Sequence, residues 1–294
     1  MEEMNNLRKI DSIIPPPPAH MVGDGFRVHG FFPGQLSNKK RMSPFFIMDY
    51  GSKIEFTPSS EPRGVGVHPH AGFETVTIAY HGRVAHHDSA GNRGVIKEGD
   101  VQWMTAGSGL LHKEYHEKEF SKTGGLFQMV QLWVNLPARF KKTTPKYQGI
   151  TREMMGKFLL PDKKSIIEII AGEYNGVKGP AFTFSPVHLY NARLAKDASV
   201  EFDLPEKYNT GFLVIEGNVK VNSENVPTDH FVLFKNEGEK IILEASEDAV
   251  VLVLSGEPIE EPLAAYGPFV MNKWEEIEQA IHDVNTGKFG VLED

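Results

Sequence analysis

His68-Pro-His70-Ala-Gly-Phe-Glu74-Thr-Val-Thr and, further on, Gly107-Ser-Gly-Leu-Leu-His112-Lys-Glu114 are the two stretches that decide how this chain folds. Residues i and i+2 of a strand project to the same face. The pairs His68/His70 and His112/Glu114 therefore each aim two side chains at one point. With their strands side by side, three imidazoles and one carboxylate converge. That mixed nitrogen and oxygen set suits a divalent transition metal.

Between the pairs the chain reads as short strands cut by turns. Residues 72–80 are rich in β-branched and aromatic side chains, and His81-Gly82 ends the run. Residues 83–88 form a return strand, and Ser89-Ala-Gly-Asn-Arg-Gly94 is a loop. Gly99-Asp100 turns the chain into Val101-Gln-Trp-Met104, and Gly107-Ser-Gly109 bends it just before His112. Short strands punctuated by glycine predict a small antiparallel barrel.

Downstream, Gln128, Val130, Leu132, Val134 and Leu136 alternate onto one strand face until Pro137 stops them. Residues 137–147 read as a polar linker. Further strands are predicted at 166–171, 182–195, 200–204, 211–221, 230–234, 241–244 and 250–255, enough for a second barrel of similar size. Ile78-Ala-Tyr-His-Gly82-Arg-Val84 aligns with Leu213-Val-Ile-Glu-Gly217-Asn-Val219, an internal duplication. In that register Glu74 falls opposite Asn209, His70 opposite Pro205 and His68 opposite Asp203. No histidine pair recurs, and His188 and His230 stand alone. The expected division is an all-β chain with a metal-binding barrel over residues 1–140. A degenerate barrel plus a terminal helix would occupy residues 141–294. That helix is predicted to start at an Asn272 cap answered by Glu275, with Trp274, Ile277 and Ile281 as its apolar stripe.

The motif residues carry a resemblance. His68-Pro-His70-Ala-Gly-Phe-Glu74-Thr-Val-Thr resembles the first cupin motif as the pirin family uses it. Asp88-Ser-Ala-Gly-Asn-Arg-Gly-Val and Gly99-Asp-Val-Gln-Trp-Met-Thr-Ala-Gly-Ser-Gly-Leu-Leu-His112-Lys-Glu114 resemble the following pirin segment. Ser43-Pro-Phe-Phe-Ile-Met-Asp49 is similar to the element before the motif, and Gly267-Pro-Phe-Val-Met-Asn272 to the family's C-terminal tail. The resemblance implies two cupin barrels (a bicupin) and one divalent metal per chain. It implies ligation by His68, His70, His112 and Glu114. General cupins instead use the glutamate of the first motif, here Glu74; both carboxylates are expected to share the histidines' parity. Pirin-type quercetinases imply an Fe(II) dioxygenase acting on an aromatic small molecule, a flavonol such as quercetin, with Glu114 accepting the substrate proton. Zinc, nickel, manganese and copper accept the same ligands. Other pirins imply a second reading, a metal-containing co-regulator that binds a protein partner.

Composition narrows the classes. The 294 residues are 40% hydrophobic and 24% charged, with a net charge of -8 and no cysteine. Disulfides and thiolate ligands are excluded. Lys39-Lys-Arg41 and Lys141-Lys142 are too short to make a basic surface, which disfavours direct nucleic-acid binding. No apolar run reaches the length of a membrane span, so a cytoplasmic protein is expected. Pro15-Pro-Pro-Pro18 reads as a stiff lead-in to the first strand. Among the other histidines, His81 and His116 are expected at hydrogen-bonded or solvated positions. His86 and His87 are each read in the same way, as surface histidines, with a site-facing role open to one of them because adjacent strand residues point opposite ways. Phe45, Phe73, Trp103 and Met104 are candidates for an apolar pocket wall or for core. Asp88, Asn92 and Arg93 are read as a hydrogen-bonded turn.

Overall fold

A computed structural model describes residues 6–36 and 38–293. The chain divides into two compact units. The first barrel takes residues 18–36, Phe45–Arg152 and residues 259–293. The second takes residues 6–17, Asn38–Pro44 and Glu153–Pro258.

Each barrel is a seven-stranded and a four-stranded antiparallel sheet. In the first barrel the larger sheet runs Lys146–Ile150, Val101–Thr105, Phe73–His81, Gly125–Asn135, Phe45–Phe56, Phe26–Phe32, His20–Val22. The smaller runs Gly64–His70, Leu110–His116, Val84–Asp88, Arg93–Ile96. The second barrel repeats the pattern with Ile10–Ile14, Phe231–Phe234, Asn209–Glu216, Ala249–Gly256, Val187–Leu194, Ile166–Ala171 and Gly156–Leu159. Its smaller sheet is Ser199–Asp203, Lys240–Ala245, Val219–Val221, Glu224–Val226. The duplication read in the sequence is thus a duplication of strand order. Its anchor is local: Gly82 and Gly217 close equivalent strands with φ of 81° and 73°, a region that favours glycine.

Two edges depart from a simple cut at 140/141. The N-terminal strand Ile10–Ile14 belongs to the second barrel, because it pairs antiparallel with Phe231–Phe234. Lys146–Ile150 completes the first barrel by pairing with Val101–Thr105. The C-terminal helix Trp274–Asn285 also belongs to the first barrel. It buries Ile277 and Ala280 against Ala71, Phe269 and Phe289. Its cap is one residue later than read: the Glu276 carboxylate accepts from the Asn272 and Lys273 backbone amides. Trp274 leaves the apolar stripe and is exposed. Among the described residues no helix is long and apolar enough to cross a membrane.

The second barrel's interior is apolar where the first is polar. The strand pair equivalent to the ligand strands turns Val200, Phe202, Ile241 and Leu243 inward, all buried in one core cluster. Burying such side chains contributes about 1.5–3 kcal/mol each relative to exposure, which suits this barrel to a packing role.

Candidate metal centre

The Leu110–His116 strand alternates strictly, with Leu110, His112, Glu114 and His116 buried. His112 lies opposite His68 on one neighbouring strand and opposite Asp88 on the other. Glu114 lies opposite His86. Backbone register alone therefore gathers the polar groups inside the barrel.

Ring centroids of His68, His70 and His112 are 4.3–4.8 Å apart in every pairing. Nδ1 of His68 sits 2.8 Å from the Gly66 carbonyl and Nδ1 of His70 sits 3.4 Å from that of Pro268. Each carbonyl requires Nδ1–H, which leaves Nε2 of both rings as a lone pair. Nε2 of His112 is buried with no hydrogen-bond partner. Such an orphan is costly unless something binds it. Burial, reinforced by the neighbouring imidazoles, holds His70 and His112 well below the usual histidine range. Neutral imidazole is the form a metal needs, so the residues present fit a divalent ion.

The ligand atoms fall into two groups that share His112. One is His68, His70 and His112; the other is His86, His112 and Glu114, each with its atoms within 4.8 Å of one another. The Glu114 carboxylate is held from three sides. Oε1 accepts from the Thr77 hydroxyl at 3.1 Å and the Gln102 amide at 3.0 Å, and Oε2 accepts from the Gln131 amide at 2.7 Å.

Of the adjacent histidines, His86 faces inward. Its Nε2 lies 3.1 Å from Asp88 Oδ2, and its Nδ1 lies 3.4 Å from His112 Nδ1. An ionised carboxylate only accepts. It fixes the proton on His86 Nε2, so His86 Nδ1 accepts and His112 donates from Nδ1. His112 Nε2 is thereby left unprotonated, the usual arrangement behind a ligating imidazole. Asp88 also accepts from the Ala90 and Asn92 amides. Burial raises its pKa, but the hydrogen bonds from His86 and Asn92 outweigh that and hold it below its ordinary value. His87 points outward and stacks on Tyr115. His116 is caged by Phe26, Phe56, Phe120 and Phe127, with Nε2 on the Gly25 carbonyl. His81 pairs with Glu98 near the surface.

Glu74 is not in either group. Thr75 and Thr77 alternate with it along the Phe73–His81 strand, and Thr77 reaches Glu114, so Glu74 takes the opposite face. Gly72, at φ 85°, interrupts the strand after His70, and the parity shared by His68 and His70 does not carry past it. A Cβ there would meet the Val270 carbonyl at 2.0 Å. Lys141, read as linker, is buried and donates to the Gly72 and Val270 carbonyls, fixing this turn from behind. The Glu74 carboxyl instead accepts from the Thr105 hydroxyl at 2.7 Å.

Burial pushes Glu74 up to about 7 from an ordinary 4.5, against the Thr105 hydrogen bond. Native protein then holds a proton that the unfolded chain has released between those values. Stability from this group is full below about pH 4.5, falls as pH rises to about 7 and stays low above. The full swing is at most roughly 3 kcal/mol. Glu74→Gln is expected to flatten this fall. Urea midpoints of variant and wild type at pH 5 and pH 8 check it; equal pH dependence in both would refute it.

A cavity of about 350 Å³ opens beside the histidines, lined by His68, His70 and Glu114. Its apolar wall includes Phe26, Val28, Met129 and Trp133. Phe73 stacks on Trp133 at 4.2 Å and touches His70 edge-on. Phe45, Trp103 and Met104 are buried core instead. Met129, Gln131 and Trp133 were discoverable: they are the other face of the strand whose even residues alternate as core.

A double barrel of this topology with an inward three-histidine cluster and a glutamate defines the class as a bicupin. Comparison with known proteins carries it further. Residues 25–134 match the Pirin family model and residues 189–290 match the Pirin C-terminal cupin domain. A Pseudomonas aeruginosa protein, provisionally named a quercetin 2,3-dioxygenase, is 45% identical over 92% of this chain and 94% of its own. Pirin-like protein 2 of Arabidopsis thaliana is 37% identical over 86% of this chain and 78% of its own. The crystal structure of quercetin 2,3-dioxygenase from Acinetobacter baumannii superposes with a TM-score of 0.92 at 45% identity, covering 98% of this chain and all of that one. The chain belongs to the pirin family.

Proposed function

We propose that this protein is a metal-dependent dioxygenase that opens a flavonol such as quercetin. His68, His70, His112 and Glu114 would hold one Fe(II). The orphaned, buried Nε2 of His112 beside two similarly oriented imidazoles carries the reading, and the names of the relatives supply the substrate class. Iron is the metal that the resemblance to pirin-type quercetinases implies, and nickel, manganese and copper accept the same ligands.

The overall reaction takes one flavonol and one dioxygen to a ring-opened ester and carbon monoxide, with dioxygen as the oxidant. When bound, the metal would polarise the substrate oxygen and make dioxygen reactive. The protein's own part is positioning and proton transfer. Trp133, Met129 and Phe26 give a flat apolar ring a dry wall. The Glu114 carboxylate, oriented by Thr77, Gln102 and Gln131, accepts the proton of the flavonol 3-hydroxyl. Oxygen uptake and carbon monoxide release on quercetin by iron-loaded protein test the reading. No turnover with iron, nickel, manganese or copper would overturn it.

The carboxylate assignment has its own check. Glu114→Gln is expected to weaken metal binding by about 10-fold or more and to shift the metal's spectrum. Glu74→Gln is expected to keep its metal. Metal content of the two variants after dialysis against a chelator decides; loss in Glu74→Gln alone would reverse the assignment.

A further inference from the structure

Asp49 lines the same cavity as His68, His70 and Glu114, and nothing in the site described so far uses it. It sits on the Phe45–Phe56 strand between Gln131 and Gly30 of the neighbouring strands. Neither neighbour satisfies it. The Gln131 amide is committed to Glu114 at 2.7 Å and to the Thr77 hydroxyl at 3.2 Å. Gly30 has no side chain, and a Cβ there would stand 3.4 Å from Asp49 Oδ1. Among the described residues, the Asp49 carboxylate has neither a hydrogen bond nor an ion pair.

The two acids of the cavity are thus in opposite conditions. Glu114 accepts from three donors and, among the described residues, Asp49 from none. A half-buried carboxylate among Val22, Phe26 and Val28 costs stability unless a donor reaches it. Burial accordingly pushes its pKa up to about 6, with His20 pulling modestly the other way. A small polar anchor in an otherwise apolar wall is how binding sites fix ligand orientation.

We propose that Asp49 is a specificity determinant of this site, accepting a hydrogen bond from a second hydroxyl of an aromatic substrate whose first hydroxyl faces the histidines. The ligand class is a polyphenol with two donors set apart, rather than any flat aromatic. This rests on the flavonol reading above and adds to it which flavonols the site favours.

The probes are quercetin and 3-hydroxyflavone, which keeps the hydroxyl facing the histidines and lacks the others. Binding is measured by fluorescence titration of metal-loaded protein without oxygen, with metal content and circular dichroism matched between variants. A hydrogen bond to a charged acceptor predicts that Asp49→Leu weakens quercetin by about 10- to 100-fold and leaves 3-hydroxyflavone within about twofold. Asp49→Asn, which keeps an acceptor oxygen, is expected to fall between wild type and leucine for quercetin. Unchanged quercetin binding in Asp49→Leu would overturn the proposal, and so would equal weakening of both probes, since that marks a structural role. If wild type binds neither flavonol, the flavonol reading itself fails. That outcome is distinct from one in which both bind and Asp49 makes no difference.

Discussion

Replacing His112 with alanine is expected to leave a folded protein that neither keeps its metal nor oxidises flavonol. His112 is the one residue common to both ligand groups, so its loss leaves neither intact. Removing a residue that merely supports a ligand costs about 10- to 100-fold in metal affinity, so removing the imidazole itself should exceed ~100-fold. The fold should survive because the Leu110–His116 strand is held by backbone pairing to both neighbours, at Leu110 through Tyr115 on one side and His112 through His116 on the other. The substitution also removes an unsatisfied buried nitrogen, which offsets part of the cost of the space it leaves. Metal content, circular dichroism and oxygen uptake on one preparation check the outcome. Full activity in metal-depleted variant would sink the metal-dioxygenase reading. Loss of all structure would show that the site is needed for folding.

The candidate ligands were legible because i,i+2 spacing on a strand is a local fact. His68, His70, His112 and Glu114 needed only their own strands to be placed around one cavity, and most strands of the second barrel followed from alternation and turns. Glu74 was misplaced by a single residue, Gly72, whose left-handed backbone resets the parity that a continuous strand would have kept. Strand ownership at the edges was not legible at all. Ile10–Ile14 pairs with Phe231–Phe234 across more than two hundred residues, and only tertiary closure decides which barrel takes that edge. Nor does any pattern mark Asp49 as unsatisfied, since that depends on what Gln131 and Gly30 do on neighbouring strands. His86 was half legible: adjacent histidines had to face opposite ways, but which one turned inward depended on register with Glu114.

Arg8 is the clearest case of a residue whose weight the sequence conceals, and its removal carries the largest expected loss of stability. It is fully buried in the second barrel. Nε donates to the Lys235 carbonyl at 2.9 Å, and Nη1 to those of Pro205 at 3.0 Å and Leu204 at 3.4 Å. Nη2 donates to the Glu206 carbonyl at 2.8 Å and to that of Tyr208. A guanidinium has five N–H donors, and each here has a backbone acceptor. Burial lowers its pKa to about 10, with Arg41 adding to the effect and Glu206 and Glu239 opposing it. The group therefore stays charged at neutral pH. Arg8→Met keeps much of the volume and strips all five guanidinium donors from a turn whose other bonds include Tyr208 N–H to the Pro205 carbonyl and the Asn236 amide to the Lys207 and Tyr208 carbonyls. Each buried carbonyl left bare costs about 1–3 kcal/mol where water cannot reach it. Since several are partly exposed, the net expectation is about 3–5 kcal/mol. At a urea dependence of about 1–3 kcal/mol per molar, the unfolding midpoint of this barrel should fall by roughly 1–5 M. Arg8→Lys should recover little of it, because one ammonium offers three donors at a single point rather than a planar fork. Urea unfolding of the metal-loaded full chain, followed by circular dichroism and by metal release, separates this barrel from the one with the histidine cluster. A midpoint within ~0.5 M of wild type would mean that water replaces the guanidinium at little cost, and the Leu204–Tyr208 turn would then be held by the strands on either side of it.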